Sequence, residues 1–174
     1  MSGNTRLLER MQIASGFVPI ALTTARIGNV VSIKNYGRIG VLFFKGIGTP
    51  GDDPTLTIEQ GTDIAFSTNK ALTFADIWIK MAPTNLSNVP KWTRITRTGA
   101  GITNTFTDTD SAEQAALWWV EFMAEDFDLA GGFHCLRASV SDVGTNAQLG
   151  CVLYFGGDPR YAAAPENMQG MVAG

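Results

Sequence analysis

Thr55-Leu56-Thr57-Ile58-Glu59-Gln60 changes character at every residue, with Leu56 and Ile58 on one side and Thr55, Thr57 and Glu59 on the other. A period of two belongs to an extended strand that lays one face on a core and leaves the other wet. Ile77-Trp78-Ile79-Lys80-Met81 repeats it, setting Ile77, Ile79 and Met81 against Trp78 and Lys80. Working outward, segments 30–34, 39–44, 91–96, 117–124, 133–140 and 148–155 carry the same β-forming residues, chiefly Thr, Val, Ile, Phe and Trp. Nineteen Gly and seven Pro break the chain between them, the rhythm of strands joined by turns. The reading is a mainly β fold, an antiparallel β-sandwich or barrel of about eight strands with short helical turns and extended terminal arms. Residues 1–29 are expected to form an N-terminal arm with a short helix over 5–11, residues 30–155 the β-domain, and 156–174 an extended C-terminal arm rich in Gly, Pro and Ala.

The punctuation predicts specific connections. Asn35-Tyr36-Gly37 reads as a short polar turn, and 46–54 and 85–90 as breaker-rich loops. Val143-Gly144-Thr145-Asn146 reads as a hairpin between the last two strands. Centred on Val143, that hairpin sets Cys135 opposite Cys151, as two small buried thiols or as a disulfide formed in an oxidising medium. Between 111 and 124 two signals compete. Ser111 stands three residues before Gln114 in the manner of a helix cap, whereas Trp118, Val120, Phe122 and Ala124 alternate against Trp119 and Glu121. A single helical turn followed by a strand is expected, and on that strand one of the adjacent indoles Trp118 and Trp119 enters the core.

At 174 residues, 45% hydrophobic and 17% charged, the chain fits one domain with an ordinary core. Its net charge of -3 removes the strongly basic balance of a nucleic-acid binder. The first residues hold Arg6, Glu9 and Arg10 and no apolar run, so no signal peptide is expected. The longest uninterrupted apolar run is 115–120, far from the ~20 residues that span a bilayer, so no membrane partner is expected. Charge is nonetheless polarised: residues 1–97 hold eleven Lys/Arg and six Asp/Glu, residues 98–174 two Arg and ten Asp/Glu. Such an asymmetry can steer a partner or a second copy, or simply keep one face solvated.

Chemistry is sparse. Gly46-Ile47-Gly48-Thr49-Pro50-Gly51 matches G-x-G-x-x-G, but Asp52, Asp53 and Pro54 follow where a helix must open to hold a phosphate. With one histidine, any Ser-His-Asp or Cys-His arrangement must pass through His134, and its neighbour Cys135 would point to the opposite face of a strand. Asp52, Asp53 and Asp63 lack an EF-hand pattern. No catalytic residue, cofactor or metal ligand is assigned. The informative groups are Trp78 and Trp119, whose rings are expected to point outward as at interfaces, and the acidic residues Glu121, Glu125, Asp126 and Asp128.

Several runs resemble small structural proteins of tailed bacteriophages: Val31-Ser32-Ile33-Lys34-Asn35-Tyr36-Gly37-Arg38, Phe43-Phe44-Lys45-Gly46, Gly51-Asp52-Asp53-Pro54-Thr55, Ile58-Glu59-Gln60-Gly61-Thr62-Asp63, the run from Cys135 to Gly150, and Asp158-Pro159-Arg160-Tyr161. The resemblance implies an auxiliary head protein, of decoration or cement type, that is made in the bacterial cytoplasm, binds the major capsid protein on the head surface and forms a dimer or trimer. It implies no enzyme activity and carries over no functional residue. Two alternatives remain open at this point: a tail or head–tail connector component, and a carbohydrate-binding β-domain with a cleft of aromatics and carboxylates.

Overall fold

Alternation of buried and exposed positions along nearly every long strand builds two antiparallel sheets packed face to face in the computed structural model, which describes residues 6–84, 86–107, 109, 114–161 and 163–171. The strands are β1 (Met11–Ala21), β2 (Arg26–Ile27), β3 (Val31–Ser32), β4 (Tyr36–Lys45), β5 (Thr55–Gly61), β6 (Asn69–Ala71), β7 (Asp76–Ala82), β8 (Thr93–Thr96), β9 (Thr105–Thr107), β10 (Ala115–Met123), β11 (Cys135–Val140) and β12 (Leu149–Pro159). The first sheet runs β1-β12-β4-β10-β7-β8; the second runs β2-β11-β5-β6, with β3 also on β11 and β9 also on β5. The architecture is a sandwich with open edges, not a closed barrel.

The core lies between the sheets. The first sheet contributes Ile39, Val41, Phe43, Ile77, Trp118, Val120, Val152 and Tyr154; the second contributes Leu56, Ile58, Leu136, Ala138 and Val140. Trp118 meets Phe43 and Phe106 edge-to-face, with ring centroids 5.2 and 4.9 Å away. One polar tie crosses the layer: the Ala138 N–H of β11 donates to the Tyr154 hydroxyl of β12 over 2.9 Å, and burial pushes the Tyr154 phenol pKa up.

Three local expectations are corrected. Val143 does not centre a hairpin. Its side chain is buried, its N–H donates to Leu22 O at 3.0 Å, and the chain there crosses from the second sheet to the first. Cys135 therefore pairs with Gly61 and Ser32, Cys151 pairs with Phe44, and the two buried thiols are free. Tyr36 is likewise a core residue that opens β4 and donates its hydroxyl to the Gln169 carbonyl. Finally, the described parts of the expected terminal arms pack on the sandwich. Residues 7–9 form a 3-10 turn in place of a helix over 5–11, and β1 caps one edge of the first sheet along β12. The C-terminal segment returns to bury Met168 and Met171, and Ser32 N–H donates to Met171 O at 2.7 Å. Residues 111–113, where a helical turn is expected, lie outside the described residues; β10 beyond them is a strand, and a 3-10 turn follows at Ala124–Asp126.

Candidate functional site

On β10 the inward positions are Trp118, Val120 and Phe122, which leaves Leu117, Trp119, Glu121 and Met123 on the outer face of the first sheet. Register carries that face sideways. Trp119 stands opposite Leu42 of β4 on one side and Trp78 of β7 on the other, Leu42 faces Leu153 of β12, and Trp78 faces Arg94 of β8. The neighbouring row holds Leu117 beside Phe44, and another sets Phe155 beside Gly40 and Gly40 beside Glu121. A six-stranded sheet thus turns Leu42, Phe44, Leu117, Leu153, Phe155 and Trp119 outward together, and Phe44 is 44% exposed. Ordinary sandwiches keep such a face polar, because each exposed apolar residue there gains nothing from folding.

Trp119 is seated by a glycine. Its ring lies over Gly40, where a Cβ would fall 2.1 Å from Cη2, and it packs at 5.3 Å against the Phe155 ring. Gly40→Val is therefore expected to unseat the indole, to cost about 1–3 kcal/mol of stability, and to shift tryptophan emission to the red. Unchanged emission in the variant would contradict this seating.

Toward β8 the face becomes a groove. Trp78, Trp92, Trp119 and Glu121 line a hollow of about 380 Å³. It continues past Trp78 and Glu121 into a second hollow of about 220 Å³ that also touches Thr73, Asp76 and Asp126. The charged groups are largely matched in pairs. Arg38 contacts Glu121 at 3.0 Å and also Asp158, and both carboxylates hold its guanidinium pKa above the usual value. Arg94 and Thr96 bond Asp76 and hold its carboxyl below the usual carboxylate range. Arg94 also lies 5.6 Å from the Trp78 ring centroid, and Lys80 5.1 Å from that of Trp92.

Of the residues singled out in the sequence, Trp78, Trp119 and Glu121 come together on this face, and Asp126 joins at the far end of the groove. Glu125 lines a different hollow with Gly37, Met123, Ala124 and Leu129. Asp128 is elsewhere again, paired with Lys70 of the second sheet, which holds its carboxyl low. The acidic run is thus split over three places. Sequence reasoning missed Trp92, which precedes a short edge strand, and the outward aliphatic residues of β4 and β12.

His134 shares its Nδ1–H with the Gly132 carbonyl at 2.7 Å, a local backbone tie. Among the described residues no three His, Cys, Asp or Glu gather as a metal site, and no helix is long and apolar enough to cross a membrane.

The fold and this face define a β-sandwich with an apolar, tryptophan-rich outer sheet. No family model and no curated protein matches the chain. Among solved structures, the SPBc2 prophage-derived protein YomS is similar over 83% of this chain and 92% of that one, with 9% identity and a TM-score of 0.40. A structure of the infectious bursal disease virus Gt strain is similar over 92% of this chain and 44% of that one, with 9% identity and a TM-score of 0.26. At these values neither likeness bears on function.

Proposed function

We propose that this chain is a non-enzymatic structural protein of a tailed-bacteriophage virion, a decoration or cement subunit that docks on the major capsid protein at the head surface. The observation that carries the docking part is the outer face of the first sheet, where Leu42, Phe44, Leu117, Leu153, Phe155 and Trp119 form a contiguous apolar surface. Contiguous apolar surface of this kind marks protein contacts, and aromatics set on a stiff sheet contribute large area at little entropic cost. The virion assignment draws its support from the resemblance of segments 31–63 and 135–161 to small phage structural proteins. Pairing of the face with a capsid subunit, and of copies with each other as a dimer or trimer, buries what the isolated chain leaves open.

Copy number in purified particles tests the reading. A count comparable with that of the major capsid protein is the expected result. A count of about a dozen or fewer would replace the cement role by a connector, tail or vertex role, and absence from particles would overturn a virion role altogether.

A further inference from the structure

The groove at the β8 side adjoins the docking surface, which centres on β12 and β4, and shares Trp119 with it. We propose that it is a saccharide site that takes a chain of uncharged hexoses with equatorial substituents. Three indoles converge on it, from β10, from β7 and from the segment entering β8, and Glu121 stands on its wall. Beyond Trp78 the lining turns polar, with Thr73, Asp76 and Asp126. A hexose of that configuration has the same division, with C–H bonds on its two ring faces and hydroxyls around its rim. The weakly positive C–H groups suit the negative face of an indole, and the hydroxyls suit carboxylate and threonine oxygens.

One of the three rings, Trp119, is held in advance. Trp119 lies on Gly40 against Phe155, and Arg94 and Lys80 lie against Trp78 and Trp92. Trp119 therefore has little side-chain freedom left to lose on binding, whereas Trp92 stands 42% exposed at the rim. The surroundings also select against other occupants. Both β10 and β7 are paired along both edges, so the floor offers a peptide no free backbone for strand addition. Single-stranded nucleic acid could stack on indoles but needs a positive track, and here Asp76, Glu121 and Asp126 offset Arg38, Lys80 and Arg94.

Trp119 borders both the groove and the docking surface, so the test falls on Trp92, which is 42% exposed and remote from β12 and β4. The full chain is titrated with cellohexaose and with N-acetylchitohexaose, followed by tryptophan emission and by calorimetry. The expected result is saturable binding of at least one of them, weakened roughly ten-fold or more in Trp92→Ala, with the melting temperature and particle occupancy of that variant unchanged. Absence of saturable binding to both sugars overturns the site, as does equal binding by Trp92→Ala, or binding of oligothymidylate in preference to either sugar. None of these outcomes touches the docking assignment, which particle occupancy reads separately.

Discussion

Trp118→Ala is expected to lose about 3–5 kcal/mol of folding free energy, a large part of the roughly 5–15 kcal/mol that holds a domain of this kind together. Trp118 is fully buried between the sheets and touches Phe43 from β4 of its own sheet and Phe106 from β9 of the other. Truncation leaves a hole that neither sheet can close, since β10 is pinned by β4 on one side and β7 on the other. Among the described residues the indole nitrogen has no hydrogen-bond partner, so it adds nothing that a phenyl ring lacks. Trp118→Phe should accordingly recover most of the loss. Trp119→Ala, one residue along and on the outer face, should cost less than half as much as Trp118→Ala. Denaturant unfolding of the three variants measures the order. A loss below about 1 kcal/mol for Trp118→Ala would mean that the core is not organised around it.

The contrast between those neighbours shows how far the sequence can be read. Strand alternation says that one of the two indoles is inside and the other outside, and it correctly puts Ile77 and Ile79 on the face opposite Trp78. It says so because period two is a local property that the chain carries without knowing its partners. Which strands neighbour one another is not local. β4 lies between β12 and β10, each some seventy or more residues away, and nothing in the composition of β4 specifies either.

That loss of information explains the hairpin error. A polar turn sequence between two strands normally joins partners, but Val143 is drawn into the core and carries the chain from one sheet to the other. It also explains why β1 went unread. Met11–Ala21 contains Gly16 and Pro19 and is mixed in polarity, as suits an edge strand whose register with β12 shifts twice. The groove was legible only in part for the same reason. Trp78, Trp119 and Glu121 were identified one at a time, but their meeting with Trp92 depends on β7 lying between β10 and β8. The acidic run from Glu121 to Asp128 misled in the opposite sense. Eight residues of chain that pass from strand to 3-10 turn to loop point their carboxylates to three different places.

If the outer face of the first sheet is what meets the capsid, placing charge at its centre should abolish assembly while leaving the chain folded. Leu42→Glu with Phe44→Glu is the variant of choice. Phe44 is 44% exposed, Leu42 is half-buried, and both side chains point away from the core, so the packing between the sheets is untouched and the loss of unfolding free energy should be about 1–3 kcal/mol. In the docked state the same carboxylates would sit among Leu117, Leu153 and Trp119, without a partner and cut off from water. Interfaces tolerate changes at a wet rim, but a buried charge left unpaired at the centre is among the most costly changes they meet. Occupancy on particles that lack the protein should therefore fall at least ten-fold, when the variant is added back and bound copies are counted. Ile27→Glu supplies the comparison: Ile27 is 69% exposed on β2 of the other sheet, and the same charge there should leave occupancy unchanged. Full occupancy by the double variant, or equal losses in both, would remove this face from the assembly and return the search to the sheet edges.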